Sequence, residues 1–300
     1  MSEGRFSRRG LLLAGAAVPL WAAQKPRLER PEDGRISFLA GGRTLLEYRY
    51  TAARPKTYVH PFCTPDGTPL TQDGPPDHVH HRGLMIAWSE VNGYDFWGEV
   101  NPAPHGRIEH VAFEEISKQR PASITDRLRW VAGGATLLHE TRTIRALEGY
   151  TGAVALEWVS ELTAAEKPVL IAPGKHTYNG LGIRFAASMD GGGVRNANGT
   201  TTIEQANGEP APWCAYHGAI EGGRQAGVVI FDHPSNPRHP TPFFVMNKPF
   251  GYLSAAPTFR APFPHLQPGE SIRLRYAVLS FLGEPQARRI GKLYTKWSET

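Results

Sequence analysis

The sequence contains only two cysteines, Cys63 and Cys214, in 300 residues. A zinc site built on several thiolates is therefore excluded by the cysteine count alone. In an oxidising compartment the two thiols could form one disulfide, but their sequence positions do not show whether they meet. Their pairing stays open at this stage.

Long apolar runs and basic clusters are also scarce. The apolar run near the N-terminus is shorter than the roughly 20 residues that cross a bilayer, so no membrane span is predicted. The formal net charge is +5, and beyond the N-terminus the basic residues form no cluster larger than Arg288-Arg289. This charge distribution predicts no nucleic-acid partner.

Several catalytic signatures are missing. The sequence has no P-loop, no dinucleotide-binding fingerprint, no G-x-S-x-G nucleophile motif and no HExxH metal motif. Gly191-Gly192-Gly193 does not join a strand to a helix, so it does not predict a phosphate-binding loop. The common nucleotide-dependent and serine-hydrolase classes are therefore not indicated.

The N-terminus resembles a twin-arginine export signal. Arg8-Arg9 is followed by an apolar, alanine-rich run that extends to Ala23. We therefore expect residues 1–23 to be an export signal, the mature chain to be periplasmic or secreted, and residues 24–300 to form one domain. The alternative is a basic tail without a targeting role.

Glycine and proline are abundant, with 32 and 26 residues respectively, which favours short strands joined by turns. Residues 35–39 and 43–50 flank Gly41-Gly42 and predict a β-hairpin. Apolar and polar residues alternate along four longer runs, 108–118, 124–132, 135–146 and 152–162. Residues 284–297 form the one convincing helical pattern. These patterns predict an all-β fold: a large, single-domain, antiparallel β-sandwich, supersandwich-like, with one C-terminal helix.

Three histidines and an arginine lie close together at His78, His80, His81 and Arg82. Imidazole titrates near neutral pH and is the commonest metal ligand, so the run predicts a small-molecule site. In an extended segment His78 and His80 would point to one side and His81 to the other. The candidate catalytic residues are these three histidines as acid or base, Arg82 as an anion or oxyanion binder, and Asp95 as an orienting or acid group.

The other half of the site is expected from elsewhere in the chain. Aromatic rings can stack on the apolar faces of sugars, and the proline-rich stretch 232–242 is stiff. The candidate substrate-binding residues are His60, Trp88, Trp97, His176, Asn179, His233, Arg238 and His239. Alternatives remain open, because the tryptophans can belong to the core, Asp95 can cap a turn, and individual histidines can be structural.

Several segments resemble one family of exported bacterial proteins, labelled the PmoA family or "methane oxygenase PmoA". The resemblance covers about residues 35–297 and rests on segments 58–61, 64–67, 77–84, 92–97 and 236–242. It implies a β-sandwich and an association with carbohydrate use, and it assigns no catalytic residue. The oxygenase label suits a membrane subunit, which does not fit a chain with no predicted span.

The residues and the resemblance together predict an exported carbohydrate-active protein. Paired carboxylates are the usual sign of glycoside hydrolysis, and no such pair stands out. Within the hydrolase and lyase classes this favours histidine acid/base chemistry on a sugar or oligosaccharide, with no certain cofactor and a divalent metal ion as a possible aid. The alternatives are a non-catalytic carbohydrate-binding module and a metal-dependent oxidoreductase.

Overall fold

The structure is a computed structural model that describes residues 26–29, 34–100, 103–119, 121–175, 177 and 179–300. The predicted export signal and His176 lie outside the described residues. In the described part of the chain, no helix is both long enough and apolar enough to cross a bilayer.

Strands dominate the described residues. The first nine are β1 (Arg27–Glu29), β2 (Arg35–Ala40), β3 (Arg43–Arg49), β4 (Tyr58–Phe62), β5 (Leu84–Trp88), β6 (Glu90–Val91), β7 (Arg107–Ser117), β8 (Ser123–Ala132) and β9 (Ala135–Ala146). The next nine are β10 (Ala153–Ala164), β11 (Ile171–Ala172), β12 (Asn179–Arg184), β13 (Gly193–Asn196), β14 (Trp213–Ala219), β15 (Gln225–Asp232), β16 (Phe243–Met246), β17 (Tyr252–Ala255) and β18 (Ser271–Leu282). Two α-helices are described, the single turn α1 (Ile203–Ala206) and α2 (Ala287–Ser298).

The strands form two large antiparallel sheets. The first sheet has the order β1-β2-β3-β4-β5-β12-β17-β16, and the second has the order β13-β14-β15-β18-β10-β9-β8-β7. A small sheet pairs β6 with β11. Neighbours in sequence often pair directly, as in β7–β8–β9–β10, because short turns join antiparallel strands.

The core lies between the two large sheets. Trp88 on β5 packs against Trp130 on β8, with ring centroids 5.8 Å apart. The hydroxyl of Tyr48 on β3 donates to Asp126 on β8 at 2.7 Å. Because side chains alternate along a strand, the neighbours of Tyr48 point away from the second sheet. We call this face of the first sheet, which points away from the second sheet, the outer face. It carries the candidate site.

A buried ion pair lies in the core. Arg142 donates Nε and Nη2 to the two oxygens of Glu140, each at 2.8 Å, and Nη1 to the Thr57 hydroxyl at 2.6 Å. Trp130 and Ser160 also donate to Glu140. Both charges are thus fully hydrogen-bonded, which is the condition under which a buried ion pair is tolerated.

Helix α2 covers the opposite face of the second sheet. Its buried residues Ile290 and Trp297 join a second apolar cluster with Val229 and Phe231 of β15. Trp297 also donates its indole N–H to Glu157 on β10 at 3.0 Å. The helix therefore closes a face that would otherwise expose apolar strand residues.

The fold prediction is confirmed. The hairpin β2–β3 turns at Gly41 and Gly42, whose φ angles of 61° and 74° require a residue without a side chain. The four alternating runs correspond to β7–β10, and the C-terminal helix begins at Ala287 rather than at Glu284. Cys63 and Cys214 are both buried and both free, so they form no disulfide.

Candidate functional site

The histidines lie on a tight loop, the histidine loop (residues 74–83), which packs on the outer face of the first sheet. His78 N–H donates to the Pro75 carbonyl and His81 N–H donates to the His78 carbonyl, both at 3.0 Å. These are i to i+3 turns, in which residues i and i+3 lie over one another. The segment is therefore not extended, and His78 lies over His81.

Both ends of the loop are fixed to the sheet. The Gln72 N–H donates to the Arg184 carbonyl of β12 at 3.1 Å, and the Gly83 carbonyl accepts from the Arg184 N–H at 2.9 Å. Asp73 and Arg82 also form an antiparallel bridge, which joins the two ends of the loop. Gly83 has a φ of 63°, and a Cβ at this position would collide with the Val59 carbonyl oxygen of β4. The loop can approach the sheet this closely only because residue 83 is glycine.

The three imidazoles form one cluster. The rings of His78 and His81 are stacked, with centroids 4.8 Å apart and planes inclined by 13°. His80 meets both edge-on, at 5.5 Å from His78 and 4.6 Å from His81. The turns of the loop thus bring the three imidazoles together, whereas an extended segment would separate His81 from the other two.

Arg184, at the end of β12, organises the cluster. Its Nη1 donates to Nδ1 of His81 at 3.2 Å and its Nη2 donates to Asp77 at 2.9 Å. Asp77 in turn accepts from Nδ1 of His78 at 3.1 Å. The guanidinium of Arg184 lies 3.8 Å from the ring centroid of Phe250, which fixes its plane.

Aromatic side chains surround the imidazoles. Phe250 contacts His78 and His81, with ring centroids at 4.6 and 5.3 Å. Tyr252 lies 5.1 Å from His81, and Trp97 lies 6.3 Å from it. These apolar contacts shield His81, which is buried, and strengthen its hydrogen bond.

Burial makes two of the histidines weak bases. Burial, with the nearby charges of Lys56 and His78, lowers the pKa of His80 to about 4. Burial, with His80, His78 and Arg184 as neighbours, lowers the pKa of His81 far below its ordinary range. Both imidazoles are therefore neutral at neutral pH.

A chain of alternating charges, the charge chain, lies beneath the loop. Lys56 donates to Glu99 at 2.9 Å, Glu99 accepts two bonds from Arg82, and Arg82 donates to Asp73 at 3.2 Å. Asp73 also accepts from Arg49 at 3.1 Å. Burial opposes ionisation of Glu99, but its bonds from Arg82 and Lys56 outweigh this and lower its pKa.

This arrangement changes the interpretation of two candidate catalytic residues. Arg82 is buried, and its Nε, Nη1 and Nη2 all donate to Glu99 or Asp73. It anchors the loop and is buried beneath it rather than presented to a substrate carboxylate. Asp95 is also buried, and one of its oxygens accepts from the N–H groups of Trp97 and Gly98 at 2.7 and 2.8 Å. Asp95 therefore caps a turn, which was the alternative reading of the sequence.

The structure places three candidate substrate-binding residues inside the protein. Trp88 is 0% exposed, faces the second sheet and donates to the Thr258 hydroxyl at 3.0 Å. Asn179 is likewise 0% exposed, and its side-chain oxygen accepts a hydrogen bond from the Thr258 N–H. Trp97 is buried but borders the histidine cluster. Trp88 and Asn179 therefore cannot be surface platforms for a sugar, whereas Trp97 belongs to the wall of the site.

His60 lies on β4, next to the loop but outside the cluster. Its Nδ1 is 2.9 Å from the Thr71 hydroxyl, and burial lowers its pKa to about 4. Gly83 lies against its Cβ. His60 thus supports the base of the histidine loop.

The predicted convergence of the loop 232–242 with the histidine loop is wrong for the residues that the structure describes. Nδ1 of His239 donates to the Asp232 carboxylate at 2.7 Å. His233 lies 2.9 Å from the Arg275 guanidinium, and its ring centroid lies 5.0 Å from that of Trp297. These partners belong to the second sheet and helix α2. Arg238, with a φ of 64°, donates to the Pro257 and Ala261 carbonyls and stiffens another loop.

One family matches most of the chain. Its description is "Family of unknown function (DUF6807)", and the match covers residues 35–295. The chain belongs to this family. The comparison with curated proteins finds no match for this member of DUF6807. The likeness to the PmoA-labelled proteins stays a prediction.

Two solved structures are similar to this DUF6807 chain in outline. A galactose 1-epimerase from Lactobacillus acidophilus NCFM matches with 9% identity and a TM-score of 0.42, covering 87% of this chain and 100% of that one. A GalM/aldose epimerase homologue from C. elegans matches with 11% identity and a TM-score of 0.38, covering 88% and 100% respectively.

The described residues offer no complete set of metal ligands. Within the described residues, no three His, Cys, Asp or Glu side chains come together in a way that could hold a metal ion. His176, one of the candidate ligands, lies outside them. The prediction of a divalent metal therefore stays untested.

Sequence reasoning missed the residues that organise the site. Arg184 is separated from Asp77 by 107 positions and lies at the end of an otherwise apolar strand. Phe250 lies in the turn before β17, and Tyr252 is the first residue of that strand. The one available signal was Arg184 itself, a lone charge after a run of apolar residues and glycines in β12.

Proposed function

We propose that the histidine loop and the outer face around it form the active site of a carbohydrate-active enzyme. The observation that carries the proposal is the stacked pair His78 and His81, surrounded by Phe250, Tyr252 and Trp97 and oriented by Arg184 and Asp77. Stacked, oriented imidazoles in an apolar surround suit proton transfer. A sugar suits this site because its hydroxyls need only a few polar partners, and the side chains of Asp77 and His78 are partly exposed.

The lyase class fits this site better than the hydrolase class. Glycoside hydrolysis generally uses two carboxyl groups that are free to act on the substrate. The carboxylates near the loop, Asp73, Asp77 and Glu99, all accept hydrogen bonds from arginines. The reaction proposed is therefore histidine-based abstraction of a proton from a sugar carbon next to a carbonyl group, followed by elimination.

A non-catalytic binding module is less well supported. Such a module presents exposed aromatic rings, whereas Phe250, Tyr252 and Trp97 are all at least 95% buried in this structure. The aromatic groups here surround titratable side chains rather than form an open platform.

The test is a screen of purified protein against oligosaccharides that contain uronic acids and against oxidised glycosides. Formation of an unsaturated product is followed, together with deuterium incorporation from heavy water at the reacting carbon. We expect turnover with the unaltered protein and loss of turnover in His78→Gln, with an unchanged melting temperature. An exposed histidine changed in the same way, His265→Gln, is the matched control. Full turnover in His78→Gln contradicts the assignment of the site, and no turnover of any sugar derivative contradicts the lyase proposal.

A further inference from the structure

Arg184 determines which nitrogen of His81 carries a proton. An arginine side chain is charged at all accessible pH values and can only donate hydrogen bonds. Because Nη1 of Arg184 donates to Nδ1 of His81, that nitrogen must be the acceptor. The proton of the neutral His81 ring is therefore on Nε2.

The same arginine determines the proton position in His78 through Asp77. Nη2 of Arg184 donates to Asp77, and the Asp77 carboxylate accepts from Nδ1 of His78. A carboxylate that is ionised can only accept, so Nδ1 of His78 carries a proton. In the neutral ring this leaves the lone pair on Nε2 of His78 available as a base.

We infer that Arg184 is a positioning residue that gives the two stacked imidazoles opposite roles: His78 takes a proton at Nε2, and His81 donates a hydrogen bond from Nε2. This inference rests on the proposed function for its catalytic meaning, but the two proton positions can be measured without a substrate.

The two roles match the needs of one reaction step. The C–H bond next to a substrate carbonyl breaks, its proton goes to Nε2 of His78, and its electron pair moves onto the carbonyl oxygen. Asp77 stabilises the His78 imidazolium that forms, and the oxygen accepts a hydrogen bond from Nε2–H of His81. Elimination of a leaving group from the next carbon then consumes the electron pair, and the proton on His78 is returned to the leaving group. No electrons are gained or lost overall.

A neutral His81 is an advantage in this arrangement. A second imidazolium stacked 4.8 Å from His78 would oppose protonation of the base. Arg184 prevents this because its bond occupies the only basic nitrogen of His81. Burial and the neighbouring positive charges act in the same direction.

Arg184 is also held rigidly enough to control both bonds. Its side chain is 4% exposed, and its guanidinium lies on the Phe250 ring at 3.8 Å. A lysine keeps the charge but has no planar fork, so it cannot direct one proton to His81 and another to Asp77 at once.

The first experiment measures the proton positions directly. Protein labelled with ¹⁵N-histidine is examined by long-range ¹H–¹⁵N NMR near neutral pH, with His78→Gln and His81→Gln used to assign the signals. We expect a pyridine-like Nδ1 and a protonated Nε2 for His81, and the reverse arrangement for His78. In Arg184→Lys both rings should become mixtures of tautomers. A protonated Nδ1 on His81 in the unaltered protein overturns the inference.

The second experiment separates the two roles in turnover. The side-chain amide of glutamine places an N–H near the position of Nε2, but it cannot act as a base. His81→Gln should therefore keep more turnover than His81→Asn, whereas His78→Gln should keep none. Arg184→Lys should lower kcat about 10²-fold with little change in KM, because misplacing a reacting group has a cost of that order. Equal losses in His81→Gln and His81→Asn contradict the donor role. If the NMR result holds and no sugar derivative is turned over, the proposed function fails while the proton assignment stands.

Discussion

His78 and His81 lie in nearly parallel planes, one above the other, because a single turn, closed by the bond from the His81 N–H to the His78 carbonyl, separates them. Their ring planes are inclined by only 13°, and Arg184 reaches both through one guanidinium, directly for His81 and through Asp77 for His78. The relationship depends on a strand that is distant in sequence. Changes within the loop and changes on β12 should therefore have similar consequences for the site.

Trp88 should matter for stability and not for ligand binding. It is fully buried between the two sheets against Trp130. Trp88→Ala should lower the free energy of unfolding by about 3–5 kcal/mol, through lost burial and a cavity. Trp88→Phe should lower the free energy of unfolding by less than Trp88→Ala does, and it should keep any sugar turnover that the unaltered protein shows. Urea unfolding and turnover measured on the same samples check this. Loss of turnover in a folded Trp88→Phe variant would return Trp88 to the site.

Lys56 should be needed for stability because it neutralises a buried part of the charge chain. Its ammonium group is 1% exposed and donates to the Trp97 carbonyl at 2.7 Å and to Glu99 at 2.9 Å. Lys56→Met should lower the free energy of unfolding by about 1–3 kcal/mol, because the buried Trp97 carbonyl loses its donor and Glu99 keeps only the bonds from Arg82. The control is Lys292→Met on the exposed side of α2. A double variant with Glu99→Gln should lose less than the sum of the single losses, and strict additivity would contradict the coupling.

Acid should destabilise the protein partly through His60 and His80. Burial lowers the pKa of both from 6.5 to about 4. Between these pH values the unfolded chain binds protons that the folded chain does not, so the free energy of unfolding falls as the pH falls from 6.5 towards 4. Above pH 6.5 neither residue contributes. The His80→Gln variant has one such group fewer. Its free energy of unfolding should therefore fall less between pH 7 and pH 5 than that of the unaltered protein. An identical pH profile would show that His80 is protonated as readily when folded as when unfolded.

The two thiols should be unreactive until the protein unfolds. Cys63 and Cys214 are free and buried, and burial raises the pKa of Cys63 to about 12. Since the thiolate is the reactive form, a thiol reagent should label neither cysteine in the native protein and both after denaturation. Intact mass should be the same with and without reductant. A mass lower by two hydrogens in the oxidised sample would indicate a disulfide.

The fold could be predicted because its signals are local. Alternation along 124–132 and 135–146, and the Gly41-Gly42 turn, each describe the backbone of their own segment. Trp88 and Trp97 could not be separated into core and site, because both are apolar strand or turn residues with the same local pattern. Only the contacts of the folded chain show that Trp88 packs against Trp130 in the core and that Trp97 lies beside His81.

The site was predicted only in part. The histidine run marked its place, but the assumption of an extended backbone gave the wrong neighbours, since Pro75 and Pro76 together with Gly74 and Gly83 favour turns. Asp232 and Asn236 hold the 232–242 loop on the second sheet through bonds that no spacing rule reveals. The sequence does not show that Arg82 is paired, because its partner Glu99 lies in a different turn.

The charge chain has a consequence for the cost of binding. Loops that carry a site are commonly mobile, and ordering them on binding weakens affinity. Here the residues at both ends of the histidine loop are tied to the sheet and to the 95–99 turn by ionic hydrogen bonds that run from Arg49 to Lys56. A ligand that enters this site meets side chains already held in place. Its affinity is then set by the contacts it makes rather than by any folding of the loop around it.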